Sequence, residues 1–305
     1  MKSQLYARVI VNPFAGTGAT GRKWPGIQKT MIQVGLSFDA VYTEGKGHAL
    51  ELAKEAACAG YEMVIAVGGD GTLNEVVNGL MESGYGRETV LGILNTGTGC
   101  DFARFIKIPR DYHQACFRLI DPLKIPADVG MVECRKDGQP VRRYFISAAG
   151  LGFDGEVVGV AEKRPRILHG ATPYFMGVLE SFGTYHNKDI QLHLDNSSEE
   201  LRICSVVVAN GGFYASGMRL APDADLQDGL FEVLIVGDIN KLELLQIAPQ
   251  AYLGTHIKHH KVRLEKAAQV IIESSDQILI QADGELVGEG PAKFQVLPSA
   301  LNITI

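Results

Sequence analysis

The sequence predicts an α/β domain with a parallel sheet, followed by a mainly antiparallel β domain. Up to about Phe105, short apolar runs alternate with stretches of helical periodicity, which is typical of a parallel sheet covered by helices on both faces. From about Pro126 onward, most of the chain has the pattern of strands separated by turns. We therefore predict domains at residues 1–125 and 126–305, with the extreme C-terminus as a candidate for packing back on the first domain.

The first domain is predicted to consist of βα units. Its strands are expected at residues 6–11, 38–42, 63–67 and 90–94, and its first two helices at residues 22–34 and 49–59. Polar, glycine-rich loops follow these strands, at residues 12–18, 43–48, 68–72 and 95–101. Because the carboxyl ends of parallel strands meet at one edge of a sheet, we expect these loops to converge on a ligand site.

The segment Gly68-Gly69-Asp70-Gly71-Thr72 joins a buried strand to a helix. Thr72 and Glu75 have the spacing of a capping box, which predicts that the helix begins at Thr72. Glycines let the backbone approach a ligand and free amides at a helix N-terminus attract anions, so the loop is suited to phosphate. A carboxylate in such a loop suggests an intervening divalent cation, so Asp70 indicates Mg²⁺. The alternative is a tight strand-to-helix turn without a ligand.

Composition restricts the class of protein. The 305 residues are 46% hydrophobic and 21% charged, as in ordinary globular proteins, and no apolar run approaches the roughly 20 residues of a membrane span. The N-terminus lacks a cleavable signal pattern, and five scattered cysteines without paired spacing favour a reducing cytoplasm. The net charge of −6 argues against nucleic acid as a partner.

The second domain is predicted from strands near residues 128–135, 141–148, 189–194, 201–209 and 230–236, and several after residue 262. Only residues 172–185 and 240–253 have a helical pattern there. Asp225 and Asp228 precede a strand with a spacing that can surround a cation, although an Asp-Gly pair is also a common turn. Glu285 follows Asp283-Gly284, which by itself is typical of a hairpin turn.

These segments together resemble the diacylglycerol kinase catalytic-domain family, which includes soluble bacterial lipid kinases and the sphingosine and ceramide kinases. The matching motifs run nearly end to end: Asn12-Pro13, Thr43-Glu44, Gly47-His48, Gly68 to Gly79, Gly97-Thr98, Asp101 to Arg104, Gly150 to Gly155, Asn210 to Gly212, Ala221 to Ala224, Asp228 to Leu230, and Asp283 to Glu285. The resemblance implies a first domain with a parallel sheet like those of NAD kinase and phosphofructokinase, and a β-sandwich second domain that binds lipid and Mg²⁺.

The resemblance also implies roles for individual residues. ATP is expected to be bound by Asn12, Thr43, Gly68, Gly69, Asp70, Gly71, Thr72, Leu73, Asn74 and Thr98. A structural Mg²⁺ is expected at Asp225, Asp228 and the carbonyl of Leu230, and Glu285 matches the general base. Asp70 and Asp101 are candidates for holding a catalytic Mg²⁺, while Asp101 is equally suited to cap the helix at residues 102–105. Cys100 departs from the family, which usually has Asn before this aspartate.

We therefore expect an ATP- and Mg²⁺-dependent kinase that phosphorylates the hydroxyl of a lipid such as diacylglycerol. The alternatives are a kinase for a soluble acceptor, like NAD kinase, and a non-catalytic, nucleotide-gated lipid-binding protein. A cytoplasmic protein that contacts the membrane transiently and peripherally is expected, with a homodimer as a candidate assembly. Basic clusters at residues 163–166 and 256–266 either contact anionic headgroups or are simply solvated.

Overall fold

The computed structural model describes residues 6–163, 178 and 180–305. These residues form two compact units, one containing the described chain up to Val129 with Pro298–Ile305, the other Gly130–Leu297. The sequence predicts this boundary between residues 125 and 126. Arg164 to Arg166 of the first basic cluster, and half of the helix predicted at 172–185, lie outside the described residues.

The first unit contains a parallel sheet. Its strands are β1 (Tyr6–Val11), β2 (Ser37–Tyr42), β3 (Met63–Gly68) and β4 (Val90–Asn95), together with the end of β14 (Glu285–Thr304). The order is β2, β1, β3, β4 and the end of β14, with every pairing parallel. The α/β character predicted for the N-terminal part is confirmed.

Helices follow the strands of this unit. They are α1 (Ala15–Gln33), α2 (His48–Cys58), α3 (Asp70–Ser83), α4 (Asp101–Phe105) and α5 (Tyr112–Arg118). Gly16, Thr17 and Gly18 have left-handed dihedral angles, so the regular part of α1 begins close to the predicted Arg22. Alternate residues of the strands point to opposite faces of the sheet. Val9 and Ile65 accordingly pack in the cluster that includes Trp24 and Ile27 of α1.

The second unit is rich in β-structure. Its strands are β5 (Lys124–Lys136, which starts in the first unit), β6 (Gln139–Phe145), β7 (Ala148–Gly152), β8 (Lys188–Leu194), β9 (Ser197–Ala209), β10 (Phe231–Gly237), β11 (Val262–Ala267), β12 (Gln269–Glu273), β13 (Leu279–Ala282) and most of β14. Antiparallel pairing runs in a closed circuit through β9, β7, β13, β14, β12 and β8, and β10 and β11 extend it from β9. The β-rich, antiparallel character is confirmed, whereas the division into two packed sheets stays a prediction.

Two helices of the second unit show where local pattern succeeds and fails. Helix α7 (Lys241–Leu253) matches its prediction and begins with a capping box between Asn240 and Glu243. Helix α6 (Phe153–Glu162) corrects the expectation that only two segments of this domain are helical. Its glycines lower helix propensity, and a Cβ on Gly155 would lie 2.0 Å from the Leu279 carbonyl oxygen. Close packing against β13 therefore requires glycine at position 155, and this glycine also weakens the helical pattern in the sequence.

Within the described residues, none of the helices combines the length and the apolar composition that a bilayer crossing requires.

Candidate functional site

The predicted loops of the first unit are joined by hydrogen bonds. Asn12 Nδ2, after β1, donates to Thr72 Oγ1 at 2.9 Å. The carbonyl oxygen of Gly68, at the end of β3, accepts from the amides of Thr96 and Gly97 at 2.8 and 3.1 Å. The loops after β1, β3 and β4 therefore meet at one edge of the sheet, as the parallel arrangement predicts.

Glu75 ties the loop after β2 to the same edge. Its carboxylate accepts from the amides of Gly47 and Ala49 at 2.8 and 3.0 Å, at the N-terminus of α2. The predicted Thr72–Glu75 capping box is therefore wrong, since α3 begins at Asp70 with Gly69 as its N-cap and no side-chain cap bond. A carboxylate satisfies orphan amides equally well in a neighbouring helix, and here the tertiary partner is used.

Asp70 lies in the first turn of α3 and faces the N-terminus of α4. Its Oδ2 accepts from the Cys100 amide at 2.7 Å, and the amides of Asp101 and Phe102 also favour the charged carboxylate. Burial is the larger influence and raises the pKa of Asp70 above its ordinary value. Oδ1 is buried, and the described part of the chain offers it no hydrogen-bond partner.

Asp101 is buried and paired within its own helix. Its Oδ1 accepts from Arg104 Nη1 at 2.9 Å. The N-cap of α4 is Cys100, at φ 64°, so Asp101 is the first helical residue and not the cap considered as its alternative role. The Cys100 thiol donates to Asn95 Oδ1 at 2.7 Å and lies 3.1 Å from the Gly97 carbonyl oxygen.

The other predicted nucleotide positions differ in exposure. Gly71 and Thr98 are exposed, whereas Thr43, Leu73 and Asn74 are buried. Asn74 Oδ1 accepts from Asn78 Nδ2 at 3.2 Å, so this side chain packs within α3. The open approach to the loop is at Gly71 and Thr98, and the nucleotide contacts of all these residues stay predictions.

The residues of the first unit fit a magnesium nucleotide in two respects. Apart from its chain neighbours and the backbone of α3 itself, the described residues place no heavy atom within 4 Å of where a Cβ on Gly71 would be, so the first turn of α3 is open to a phosphate. A buried carboxylate oxygen without a donor is costly, and a cation bound to Asp70 Oδ1 would remove that cost. These observations support Asp70 as the residue that would hold or orient the metal.

In the second unit, Glu285 follows a tight hairpin turn. Asp283 and Gly284 have φ of 47° and 82° and connect β13 to β14. Glu285 is partly exposed, and its Oε2 accepts from Arg143 Nη2 at 3.3 Å. Both the hairpin and an accessible carboxylate are present, so the turn and the catalytic interpretation are compatible.

The predicted structural metal site is an acidic turn with a lysine partner. Asp225 Oδ1 accepts from the Gln227 amide and Asp228 Oδ1 from the Leu230 amide, both at 3.0 Å. Lys266 Nζ donates to Asp228 Oδ2 at 2.9 Å. Carboxylate and carbonyl oxygens suit Mg²⁺, so the donor set fits by chemistry, but Lys266 competes for Asp228. The described residues hold no cluster of three or more His, Cys, Asp or Glu arranged for a metal, and this site stays a prediction.

Sequence reasoning missed a buried polar network in the second unit. Asp154 accepts hydrogen bonds from Tyr214 and Gln281, and Gln281 accepts one from the Gly284 amide. Asp154 belongs to the matched segment Gly150 to Gly155. The signal available in the sequence was a carboxylate placed among apolar residues, but the partners of Asp154 are far away in the sequence.

Two family models match consecutive parts of the chain. Residues 6–132 match the diacylglycerol kinase catalytic domain. Residues 147–305 match the YegS C-terminal NAD kinase beta sandwich-like domain.

Similar proteins cover nearly the whole chain. A diacylglycerol kinase of Staphylococcus carnosus is 33% identical over 97% of this chain and 94% of its own length. A diacylglycerol kinase of Bacillus subtilis is 32% identical over 94% of this chain and 92% of its own length. The crystal structure of a putative diacylglycerol kinase from Bacillus anthracis has a TM-score of 0.78 at 20% identity, covering 100% of this chain and 98% of that one. This structural similarity, at 20% identity, shows a shared fold and nothing further.

Proposed function

The chain belongs to the diacylglycerol kinase catalytic-domain family and is a lipid kinase, and we propose that it transfers the γ-phosphate of ATP to the hydroxyl group of diacylglycerol with the help of Mg²⁺. The observation that carries the nucleotide part is the open first turn of α3 beside the unpartnered oxygen of Asp70. Nothing observed favours a soluble acceptor or a non-catalytic lipid-binding protein.

We assign phosphate binding to the loop of residues 68–72. Its amides lie at the N-terminus of a helix of 14 residues, where the helix dipole favours negative charge. Thr72 is fixed by Asn12, and Gly68 is fixed by the loop after β4, so the amides are held in place before a ligand arrives. This preorganisation supports binding of the ATP phosphates.

Asp70 would hold the catalytic Mg²⁺ through Oδ1, with Asp101 in the same loop cluster. When bound, Mg²⁺ neutralises the charge that develops on the transferred phosphoryl group. The Asp101 carboxylate is already paired with the Arg104 guanidinium. Its contribution would therefore be to position this guanidinium and the N-terminal turn of α4. Asp225, Asp228 and Leu230 are proposed to hold a second, structural Mg²⁺.

Glu285 is the proposed general base. The hydroxyl proton must be removed as the oxygen attacks phosphorus, and a carboxylate can accept it. Arg143 restrains the Glu285 side chain and balances its charge, which keeps an ionised acceptor in a fixed position. Product formation then leaves the proton on Glu285 for release to water.

A lipid substrate also implies transient contact with a bilayer surface. Within the second basic cluster, Lys261, Arg263 and Lys266 are paired with Glu243, Glu199 and Asp228. His256 is buried, whereas Lys258 and His260 are exposed. Exposed cations attract anionic headgroups, which supports a small contribution of this cluster to docking. The homodimer stays a prediction.

The test is phosphoryl transfer to defined lipid. Purified protein is incubated with labelled ATP and Mg²⁺, with and without diacylglycerol in mixed micelles, and the organic phase is analysed for labelled phosphatidic acid. We expect lipid-dependent label. Label only in water-soluble products would favour a soluble acceptor, and the absence of any labelled acceptor would favour the non-catalytic alternative.

A further inference from the structure

Asp154 is a buried carboxylate for which the proposed reaction has no direct use. It lies in the first turn of α6, where its Oδ1 accepts from the Tyr214 hydroxyl at 2.8 Å and its Oδ2 from Gln281 Nε2 at 2.7 Å. A Cβ on residue 150 would lie 2.0 Å from Oδ2, so the carboxylate fits because Gly150 has no side chain. Burying a charged carboxylate costs free energy, so its retention needs a compensating role in structure or function.

Gln281 transmits the orientation of Asp154 to the hairpin turn. The residue is fully buried in β13, and its Oε1 accepts from the Gly284 amide at 2.9 Å. An ionised carboxylate only accepts hydrogen bonds, so Asp154 forces the NH₂ group of Gln281 to point toward it. The carbonyl oxygen of Gln281 is then presented to Gly284, and a flipped amide would place two donors against each other.

Both residues of the turn before Glu285 are held in this way. The Asp283 carboxylate accepts from the amides of Ile146 and Ser147, each at 2.9 Å, while Gly284 is held by Gln281. The turn is a two-residue hairpin with positive φ at both positions, a conformation that fixes where the next residue begins. That next residue is Glu285.

We propose that Asp154 and Gln281 are positioning residues that hold the Gly284 turn so that the Glu285 carboxylate is presented to the acceptor hydroxyl. The inference rests on the proposed role of Glu285 as general base. Neither residue is assigned contact with substrate. A small displacement of a general base costs rate because proton transfer needs hydrogen-bond reach, and about 1 Å is enough to lose about 100-fold.

The main variant is Gln281→Met, which keeps an unbranched side chain of similar length but removes the acceptor for Gly284. We expect kcat to fall about 10- to 100-fold, with the KM for ATP changed by less than about twofold, because the nucleotide is assigned to the first unit. Asp154→Asn should also lower kcat. The asparagine side chain has a donor as well as an acceptor, so it no longer forces the NH₂ group of Gln281 to point toward it. Amide hydrogen exchange at Gly284, measured by NMR, should accelerate in both.

Tyr214→Phe is the matched control. It removes the other hydrogen bond to Asp154 but leaves the carboxylate and Gln281 in place, so kcat and Gly284 exchange should stay near the parent values. A double variant gives the readout that a merely structural role would not produce. In the Glu285→Gln background, where the base is absent, Gln281→Met should lower kcat no further.

Unchanged kcat and Gly284 exchange in folded Gln281→Met would overturn the inference, as would an equal loss in Tyr214→Phe. If Asp154→Asn does not fold, kcat and Gly284 exchange in Gln281→Met are sufficient to test the inference. A further loss of kcat from Gln281→Met in the Glu285→Gln background would likewise count against it. Failure of the proposed function has a different signature, since Glu285→Gln alone would then retain full kcat.

Discussion

Arg143 Nη2 lies 3.3 Å from Glu285 Oε2, so the carboxylate at the start of β14 is held by a guanidinium from β6. We predict that Glu285→Gln lowers kcat by about 10²–10⁴-fold, because the amide keeps the shape of the side chain but cannot accept the proton. The fold should survive, since a partly exposed ion pair contributes little to stability. Steady-state kinetics with thermal unfolding as a folding control measure this, and near-normal kcat would return Glu285 to a hairpin residue.

Asp70→Asn should impair the use of Mg²⁺ and ATP as well as turnover. The substitution removes the negative charge at the buried Oδ1, so the concentration of Mg²⁺ needed for half-maximal activity should rise and kcat should fall. Asp111→Asn is the control, because Asp111 caps α5 in the same unit and Asn caps as well as Asp. An unchanged Mg²⁺ dependence in Asp70→Asn would argue that Asp70 serves only the N-terminus of α4.

The acidic turn at residues 225–230 makes a prediction that does not depend on activity. If Asp228 binds Mg²⁺, the ion stabilises the folded state, and Asp228→Ala should abolish part of the Mg²⁺-dependent rise in Tm. Lys266→Met should enlarge that rise, because it removes the ammonium group 2.9 Å from Asp228 Oδ2. Tm is measured with and without Mg²⁺ at constant ionic strength. The same response in all three proteins would show that the loop is only a turn.

Asp154 should make stability depend on pH. Burial raises its pKa to about 6 from the ordinary value of 3.8, against the opposing effect of hydrogen bonds from Tyr214 and Gln281. The folded state then binds more protons than the unfolded state between about pH 4 and 6, so this group lowers the free energy of unfolding as pH rises through that window, by about 3 kcal/mol in total. Urea unfolding of the parent and Asp154→Asn across this range measures the difference. Parallel pH profiles would contradict the assignment.

Thiol labelling near neutral pH should separate Cys58 from Cys100. Burial raises the pKa of the Cys100 thiol to about 11, so its reactive thiolate is scarce, whereas Cys58 is exposed. We expect iodoacetamide to modify Cys58 first, as judged by mass spectrometry, and Cys58→Ser to remove the fast phase. Rapid modification of Cys100 in the folded protein would show that its loop opens readily.

The strand pattern of the first unit was predictable because all four strands before β14 are bounded by turn residues, and β1, β3 and β4 are largely buried. Strand β1 was predicted at residues 6–11 and is found at Tyr6–Val11. The start of α3 was not predictable, because the Thr72–Glu75 spacing matches a capping box, whereas Glu75 in fact accepts hydrogen bonds from the amides of residues 47 and 49. Local patterns contain no information about such a partner, so the helix start was placed two residues late.

The candidate site could be predicted only in part for the same reason. Motifs located the segments that carry Asp70, Asp228 and Glu285. Their partners come from distant positions, such as Arg143 for Glu285 and Lys266 for Asp228, and no local pattern indicates either pairing. Helix α6 was hidden because its glycines serve packing against β13 at the expense of helix propensity.

The parallel sheet of the first unit is completed by the far end of the chain, where Asn302 and Ile303 pair with Val90 and Leu91. A ribosome makes β4 long before it makes these partners, so β4 remains an unprotected edge until the end of β14 has been synthesised. An open edge strand of buried, apolar residues is a template for pairing with other chains. The order of synthesis therefore makes the nascent first unit dependent on protection from aggregation until β14 has been added.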